Sequence, residues 1–262
     1  MPRSSHGGRH ELGQNSLNHH PTIDQLVNLV ATTTGPVLEI GSGDGALTRE
    51  LVRLKRPLTA IDIDEHRVTH LRRSLPTIQV EQANVLRHPL DASVIVGNIP
   101  FHITTPILRK LLTPGLWRHA FLITQWEVAR KRAGVGGSTM MTAQTAPWFT
   151  FTLHGRIPSS RFAPRPNVDG GILGISRRGS PLVPLTDRAA YERFVRTVFT
   201  GPGGRLTRIV QRATQMNASE TGRAFHRAAI DPRDLPRDLD ASQWAILWAT
   251  ARDNAHRRRE GI

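Results

Sequence analysis

Two stretches early in the chain carry residues whose types and spacing suit a nucleotide-like ligand. The first is Glu39-Ile-Gly-Ser-Gly-Asp-Gly45, directly after an apolar run. Gly41, Gly43 and Gly45 allow a sharp backbone turn and leave room for a ligand against the main chain, a pattern common to nucleotide-binding turns. The second, Ala60-Ile-Asp62-Ile-Asp64, follows at the spacing of about 20 residues expected for ribose recognition. Asp62 would accept two hydrogen bonds from a ribose diol, and Ile63 would offer an apolar face to an adenine ring. Asp64 suits the N-cap of a following helix. Glu39 and Asp44 would repel a pyrophosphate, so a cationic ligand with an aminoacyl group fits the loop better. S-adenosylmethionine, with its ammonium and sulfonium, is such a ligand, and Glu39 would hold it electrostatically.

A third stretch, Val96-Gly-Asn98-Ile-Pro-Phe101-His102, ends another apolar run, at the edge where open α/β sheets place their ligands. It resembles the adenine-N6 methyltransferases, whose hallmark is Asn or Asp, one residue, Pro, then Tyr or Phe. The chemistry of such a site can be stated in physical terms. An exocyclic adenine amine is a poor nucleophile, because its lone pair is delocalised into the ring. The Asn98 side-chain oxygen and the Ile99 carbonyl would both accept from that amine, favouring a pyramidal nitrogen aimed at the methyl group. Pro100 would fix the turn, and Phe101 would stack on an adenine drawn out of its helix or loop. No strong base is needed, since the alkylated amine sheds its proton to water. Positioning supplies most of the rate.

Four segments in order narrow the resemblance: Gln14-Asn15, Glu39–Gly45, Asn98–Phe101 and Phe162-Ala-Pro-Arg-Pro-Asn-Val-Asp169. Together they resemble the ribosomal RNA adenine methyltransferases over roughly Leu12 to Arg178. Two branches compete, the Erm-type enzymes of macrolide-lincosamide resistance acting on large-subunit RNA and the KsgA-type small-subunit dimethyltransferases. Ile99 and the short Arg-rich C-terminus favour Erm. The resemblance implies that Gln14 and Asn15 lie over the cofactor and that Glu39, Gly41 and Gly43 meet its aminoacyl part. It further implies Asp62 at the ribose, and Asn98 and Phe101 at the target adenine. Glu127, Arg130 and Lys131 resemble a stretch whose basic residues face RNA, though a solvated helix face explains them almost as well. Ser16 departs from the family's Phe. Asn84 stands where the third cofactor motif usually has Asp, and its oxygen can still accept from the cofactor's adenine amine.

These residues need a sheet to position them. Short apolar runs at 36–40, 58–61, 78–80, 93–96 and 120–123 alternate with helical patterns at 46–54, 65–75, 104–112 and 127–133. Such alternation predicts a largely parallel sheet with helices on both faces. Runs at 148–153 and 171–175 have no helix between them and predict an antiparallel hairpin at the sheet edge. Gly134–Ser138 reads as a flexible loop and Arg177–Leu185 as a linker. Helical patterns follow at 187–200, 205–214, 219–229 and 241–251, with Asp187 and Ser219 placed as N-caps. The expected fold class is α/β: a Rossmann-like class I methyltransferase domain over 12–178 with a small C-terminal helical RNA-binding domain over 186–252. Basic flexible tails are expected at 1–11 and 253–262.

The bulk composition agrees with a nucleic-acid partner. Lys plus Arg total 35 against 21 acids, a formal net charge of +14, and a field of that sign attracts polyanions. Arg outnumbers Lys so heavily that codon bias can explain the choice of Arg, but not the excess of cations. Cys is absent, which excludes disulfides and thiolate metal sites. His6, His10, His19 and His20 lack the supporting acids of a metal site, so no metal is expected. No apolar run approaches the roughly 20 residues of a membrane span. The expectation is a cytoplasmic monomer that uses S-adenosylmethionine and acts on large-subunit ribosomal RNA before full assembly. The competing functions are a 16S-type dimethyltransferase and a catalytically silent nucleic-acid-binding protein, and the intact Asn98, Pro100 and Phe101 speak against the silent one.

Overall fold

A computed structural model describes residues 15–202 and 204–260. Gln14, the expected tail 1–11 and the pair His6 and His10 lie outside the described residues. In chain order the strands are β1 (Ser16–Leu17), β2 (Val37–Ile40), β3 (Leu58–Asp62), β4 (Gln79–Gln82), β5 (Val94–Asn98), β6 (His119–Gln125), β7 (Phe149–Ile157), β8 (Phe162–Ala163) and β9 (Gly170–Arg177). Seven of them form one sheet in the order β4-β3-β2-β5-β6-β9-β7. Its first five strands run parallel, and β9 pairs antiparallel with β6. The two runs expected at the sheet edge are therefore neighbours there.

The central strands are short continuous apolar runs because helices cover both faces. Val37–Ile40 is buried throughout, as is Val94–Gly97. Gly97 is needed for a steric reason. A Cβ there would lie 2.2 Å from the Ile40 carbonyl oxygen, so only glycine lets β5 approach the end of β2 so closely. The strand order reverses between β2 and β5, which opens a crevice at their carboxyl ends.

Helices α2 (Ala46–Val52), α3 (Glu65–Ser74), α4 (Thr104–Leu111) and α5 (Trp126–Arg132) fall where the apolar pattern places them. Helix α1 (His20–Ala31) was not anticipated. It buries Thr22, Ile23, Leu26 and Val30, a helical spacing that the histidines at its start obscure. The short pair of β1 with β8 was also unforeseen, since two-residue strands carry no periodicity.

The described chain divides into two compact units. One holds the chain up to Arg130 together with Thr152–Ser176, and the other holds Lys131–Phe151 with the chain from Arg177 onward. This departs from the continuous 12–178 domain expected from sequence, because 131–151 packs with the helices that follow the sheet. Helices α6 (Met140–Thr145) and α7 (Arg188–Thr200) meet in that second unit. There Tyr191 lies edge-on to Trp148 (5.5 Å, 85°) and Trp248 (6.0 Å, 86°), and its hydroxyl donates to the Ala143 carbonyl at 2.9 Å.

Three further expectations need correction. Helix α9 (Ala218–Arg227), which follows α8 (Leu206–Thr214), is capped by Asn217, not Ser219. Asn217 accepts from the Glu220 N–H, and the Glu220 carboxylate accepts from the Asn217 N–H, so both end groups are satisfied. Asp187 precedes α7 but makes no cap; its carboxylate accepts from Arg252 at 2.5 Å instead. Helix α10 (Ala241–Glu260) continues from 253 to 260 of the expected tail, and Arg258 reaches Glu220 at 3.1 Å. Among the described residues no helix is long and apolar enough to cross a membrane.

Candidate active site

The crevice at the carboxyl ends of β2, β3 and β5 collects nearly all the residues singled out by sequence. Asn15, Glu39, Gly41, Gly43, Asp62, Ile63, Asn84, Asn98, Ile99, Pro100 and Phe101 line one cleft. Gln14 lies outside the described residues. Leu17, Ser42, Arg67 and Val85 also line the cleft and were not foreseen. Ser42 was within reach of sequence reasoning, being inside the glycine loop, whereas Arg67 arrives from α3 by tertiary packing.

The loop after β2 turns through left-handed backbone at Gly41 (φ 72°), Gly43 (φ 53°) and Gly45 (φ 82°), which side-chain-bearing residues rarely adopt. Its start is tied to β3, because the Gly41 and Ser42 N–H groups both donate to the Ile61 carbonyl at 2.8 and 3.1 Å. Asp62 completes the tie. One carboxylate oxygen accepts from the Gly43 N–H at 2.7 Å and the other from the Asp64 N–H at 2.9 Å. The acid at the end of β3 thus shapes the glycine loop as well as facing the cleft. Asp64 caps α3 as expected, accepting from the His66 and Arg67 N–H groups.

Glu39 is buried in the floor of the cleft, and its Oε2 has no hydrogen-bond partner among the described residues. The same is true of the Ser42 hydroxyl. Burial raises the Glu39 carboxyl to about 8 and the Asp62 charge adds to the rise. The nearby Thr48 hydroxyl lowers it in part, without forming a full hydrogen bond. A buried acceptor left open beside a second acid suits a cationic group. These open and acidic acceptors therefore fit the ammonium and sulfonium of S-adenosylmethionine. Ile63 is 50% exposed at the cleft although large and apolar, which suits a stacking face for a flat ring. The Asn84 side-chain oxygen accepts from the Leu86 N–H at 2.9 Å.

At the end of β5 the arrangement is different. The Asn98 amide donates its Nδ2–H to the Asn15 carbonyl at 2.7 Å. That bond fixes which way the amide points, because reversing it would set two oxygens against each other. Oδ1 is thereby kept as an acceptor. Ile99 is buried, its N–H donating to the Ile123 carbonyl at 3.2 Å. Pro100 (φ −58°, ψ 130°) turns the chain into the 3-10 turn Phe101–Ile103, whose last N–H returns to the Pro100 carbonyl.

Phe101 meets Phe162 edge-on, with ring centroids 6.2 Å apart. Phe162 opens the Phe162–Asp169 segment, and Gly170 fits beneath its ring, where a Cβ would come within 2.9 Å. Asp169 closes the segment. Its carboxylate takes the Ser159 N–H and the Arg156 guanidinium, both at 2.8 Å, which hold it below the usual carboxylate range. Its carbonyl accepts from the Trp126 N–H. The segment acts as a buttress for Phe101. Arg130 pairs with Glu127 along α5 at 2.8 Å, as a solvated helix face would.

Comparison with known proteins agrees with this geometry. The model of the family described as ribosomal RNA adenine dimethylase matches residues 5–245. A mycinamicin-resistance protein of Micromonospora griseorubida is 46% identical over 253 residues, covering 94% of this chain and 80% of that protein. An rRNA adenine N-6-methyltransferase of Corynebacterium diphtheriae is 50% identical over 209 residues, covering 78% and 83%. The crystal structure of the 23S rRNA methyltransferase ErmE superposes with a TM-score of 0.81 at 30% identity, over 90% of this chain and 99% of that one. The cleft, its Asn-Ile-Pro-Phe lip and these similarities converge, and the chain belongs to the ribosomal RNA adenine dimethylase family as an rRNA adenine-N6 methyltransferase.

Proposed function

We propose that this enzyme methylates N6 of an adenine in large-subunit (23S) ribosomal RNA and so confers resistance to macrolide-type antibiotics. The observation that carries the chemistry is the Asn98 amide, which lines the cleft at the end of β5 and is held by the Asn15 carbonyl so that its oxygen stays an acceptor. The large-subunit assignment is supported by the likeness to a mycinamicin-resistance protein and to the 23S enzyme ErmE.

When bound, S-adenosylmethionine supplies a methyl group on a sulfonium. Glu39 would meet its positive charge, Gly41 and Gly43 would give backbone room for its aminoacyl part, and Asp62 would accept from the ribose. Ile63 would cover one face of its adenine, and Asn84 would accept at that ring's edge. The Asn98 Oδ1 and the Ile99 carbonyl accept from the target amine and turn its lone pair towards the methyl. Phe101, buttressed by Phe162, stacks on the extracted base. Transfer of that methyl to N6 would leave a neutral thioether, and the extra N6 proton would pass to water.

The C-terminal helices, which are rich in arginine, and the segment 131–151 packed with them serve as the RNA-binding part. The enzyme works as a cytoplasmic monomer on RNA not yet fully assembled. The test is methyl transfer from labelled S-adenosylmethionine to protein-free 23S RNA and, in parallel, to assembled small subunits. Label in N6-methylated adenosine of 23S RNA is the expected result. Label confined to small subunits overturns the large-subunit assignment.

A further inference from the structure

The two acids of the cofactor cleft are treated unequally. Asp62 has both oxygens engaged by backbone N–H groups, whereas Glu39, 1% exposed, has an oxygen with no partner among the described residues. Among the described residues its surroundings supply no cation. Its partners across the sheet are Ala60 on β3 and Val96 on β5, both apolar. From α2 comes the neutral Thr48, from the loop Ser42 and the exposed Asp44, and from β3 the charge of Asp62. The guanidinium of α3 that lines the cleft, Arg67, is directed to Asp44 (3.6 Å) and Asp64 (3.9 Å). A carboxylate in such a place has neither solvent nor a counter-charge.

We propose that binding of the cationic cofactor drives a proton off Glu39. The carboxyl is neutral in the empty cleft. Docking of the cation converts it to a carboxylate paired with that cation, and the proton passes to solvent, so charge is conserved across the step. The raised Glu39 carboxyl, at about 8, agrees with this picture. Cofactor affinity therefore climbs with pH below about 8, by up to about tenfold per unit where one full proton is released. This inference rests on the cofactor reading above and goes beyond it by making the binding step proton-coupled.

The experiment is calorimetric titration of the full-length protein with S-adenosylmethionine at pH 7 in phosphate and in Tris, whose ionisation enthalpies differ. The expected result is release of about one proton per cofactor, with log affinity rising at close to unit slope between pH 6 and 7.5. Glu39→Gln, isosteric and uncharged, should release none and show a flat profile. Proton-neutral binding by the wild type at pH 7 overturns the proposal, as does undiminished release in E39Q. The wild-type count decides alone where the variant binds too weakly to titrate. Failure of the wild type to bind S-adenosylmethionine at all would instead overturn the cofactor reading.

Discussion

Strands β2 and β5 lie side by side, yet they finish their polar side chains in opposite ways. At the end of β5, Asn98 is locked by the Asn15 carbonyl before any substrate arrives. On β2, Glu39 is left with an open acceptor. The difference follows from what each half must do. In the proposed mechanism the target base is neutral and its activation depends on angle, so its partner is fixed in advance. The proposed cofactor is charged and would bind by neutralisation, so its partner is left incomplete until binding. Preorganisation and deliberate incompleteness coexist within one sheet edge.

The comparison can be broken most forcefully at Asn98. Asn98→Ala removes the fixed acceptor and should lower the rate of methyl transfer by about 10²–10³-fold, while calorimetry shows cofactor binding retained. Equal loss of both would mean that the two halves are not separable. Gly97→Ala should damage both halves together, because its Cβ would collide with the Ile40 carbonyl. The expected cost is about 1–3 kcal/mol of stability by denaturant unfolding. Phe101→Ala should weaken target binding by about 1–3 kcal/mol, read as a higher KM for RNA, and Phe101→Tyr should keep most of it.

Acid titration sharpens the other half. A carboxyl raised to about 8 in the fold contributes stability that is present below its unfolded value of about 4.5 and lost as pH rises through the folded value. The ligand-free protein should therefore lose thermal stability between about pH 5 and 8, and Glu39→Gln should flatten that decline. An identical decline in both proteins would remove the titration from Glu39. The smallest effect is expected for Asn84→Asp. The new carboxylate can still accept from the Leu86 N–H, so cofactor affinity should shift only a few-fold, measured by the same calorimetry.

Much of this was legible in the sequence, and the reasons are local. The glycine loop, the acid at the end of β3 and the Asn98–Phe101 lip are contiguous motifs on strands whose apolar runs declare themselves. What escaped reading depends on contacts distant in the chain. The role of Asn15 is carried by its carbonyl, 83 residues from Asn98, and a backbone atom leaves no trace in residue type. The sequence points to Asp62 as a ribose ligand, whereas its shaping of the glycine loop shows only in the fold. The cap of α9 lies two residues before the Ser219 expected from sequence, since both are good cap types and only Asn217 has a Glu three positions on. The grouping of 131–151 was invisible because the glycines after α5 read as a loop, with no sign of which unit the next helix would join.

That last feature bears on how the enzyme can be re-engineered. Tyr191 depends on Ala143 and Trp148 as well as on Trp248, so the second unit is assembled from two separate stretches of chain. A graft that swaps only the region after Arg177 between relatives would leave Tyr191 facing a foreign Trp148 neighbourhood. A chimera meant to exchange the second unit has to carry Lys131–Phe151 along with the C-terminal helices, as two inserts and not one. Recombination with a single crossover at the Arg177–Leu185 linker would separate partners that share a core.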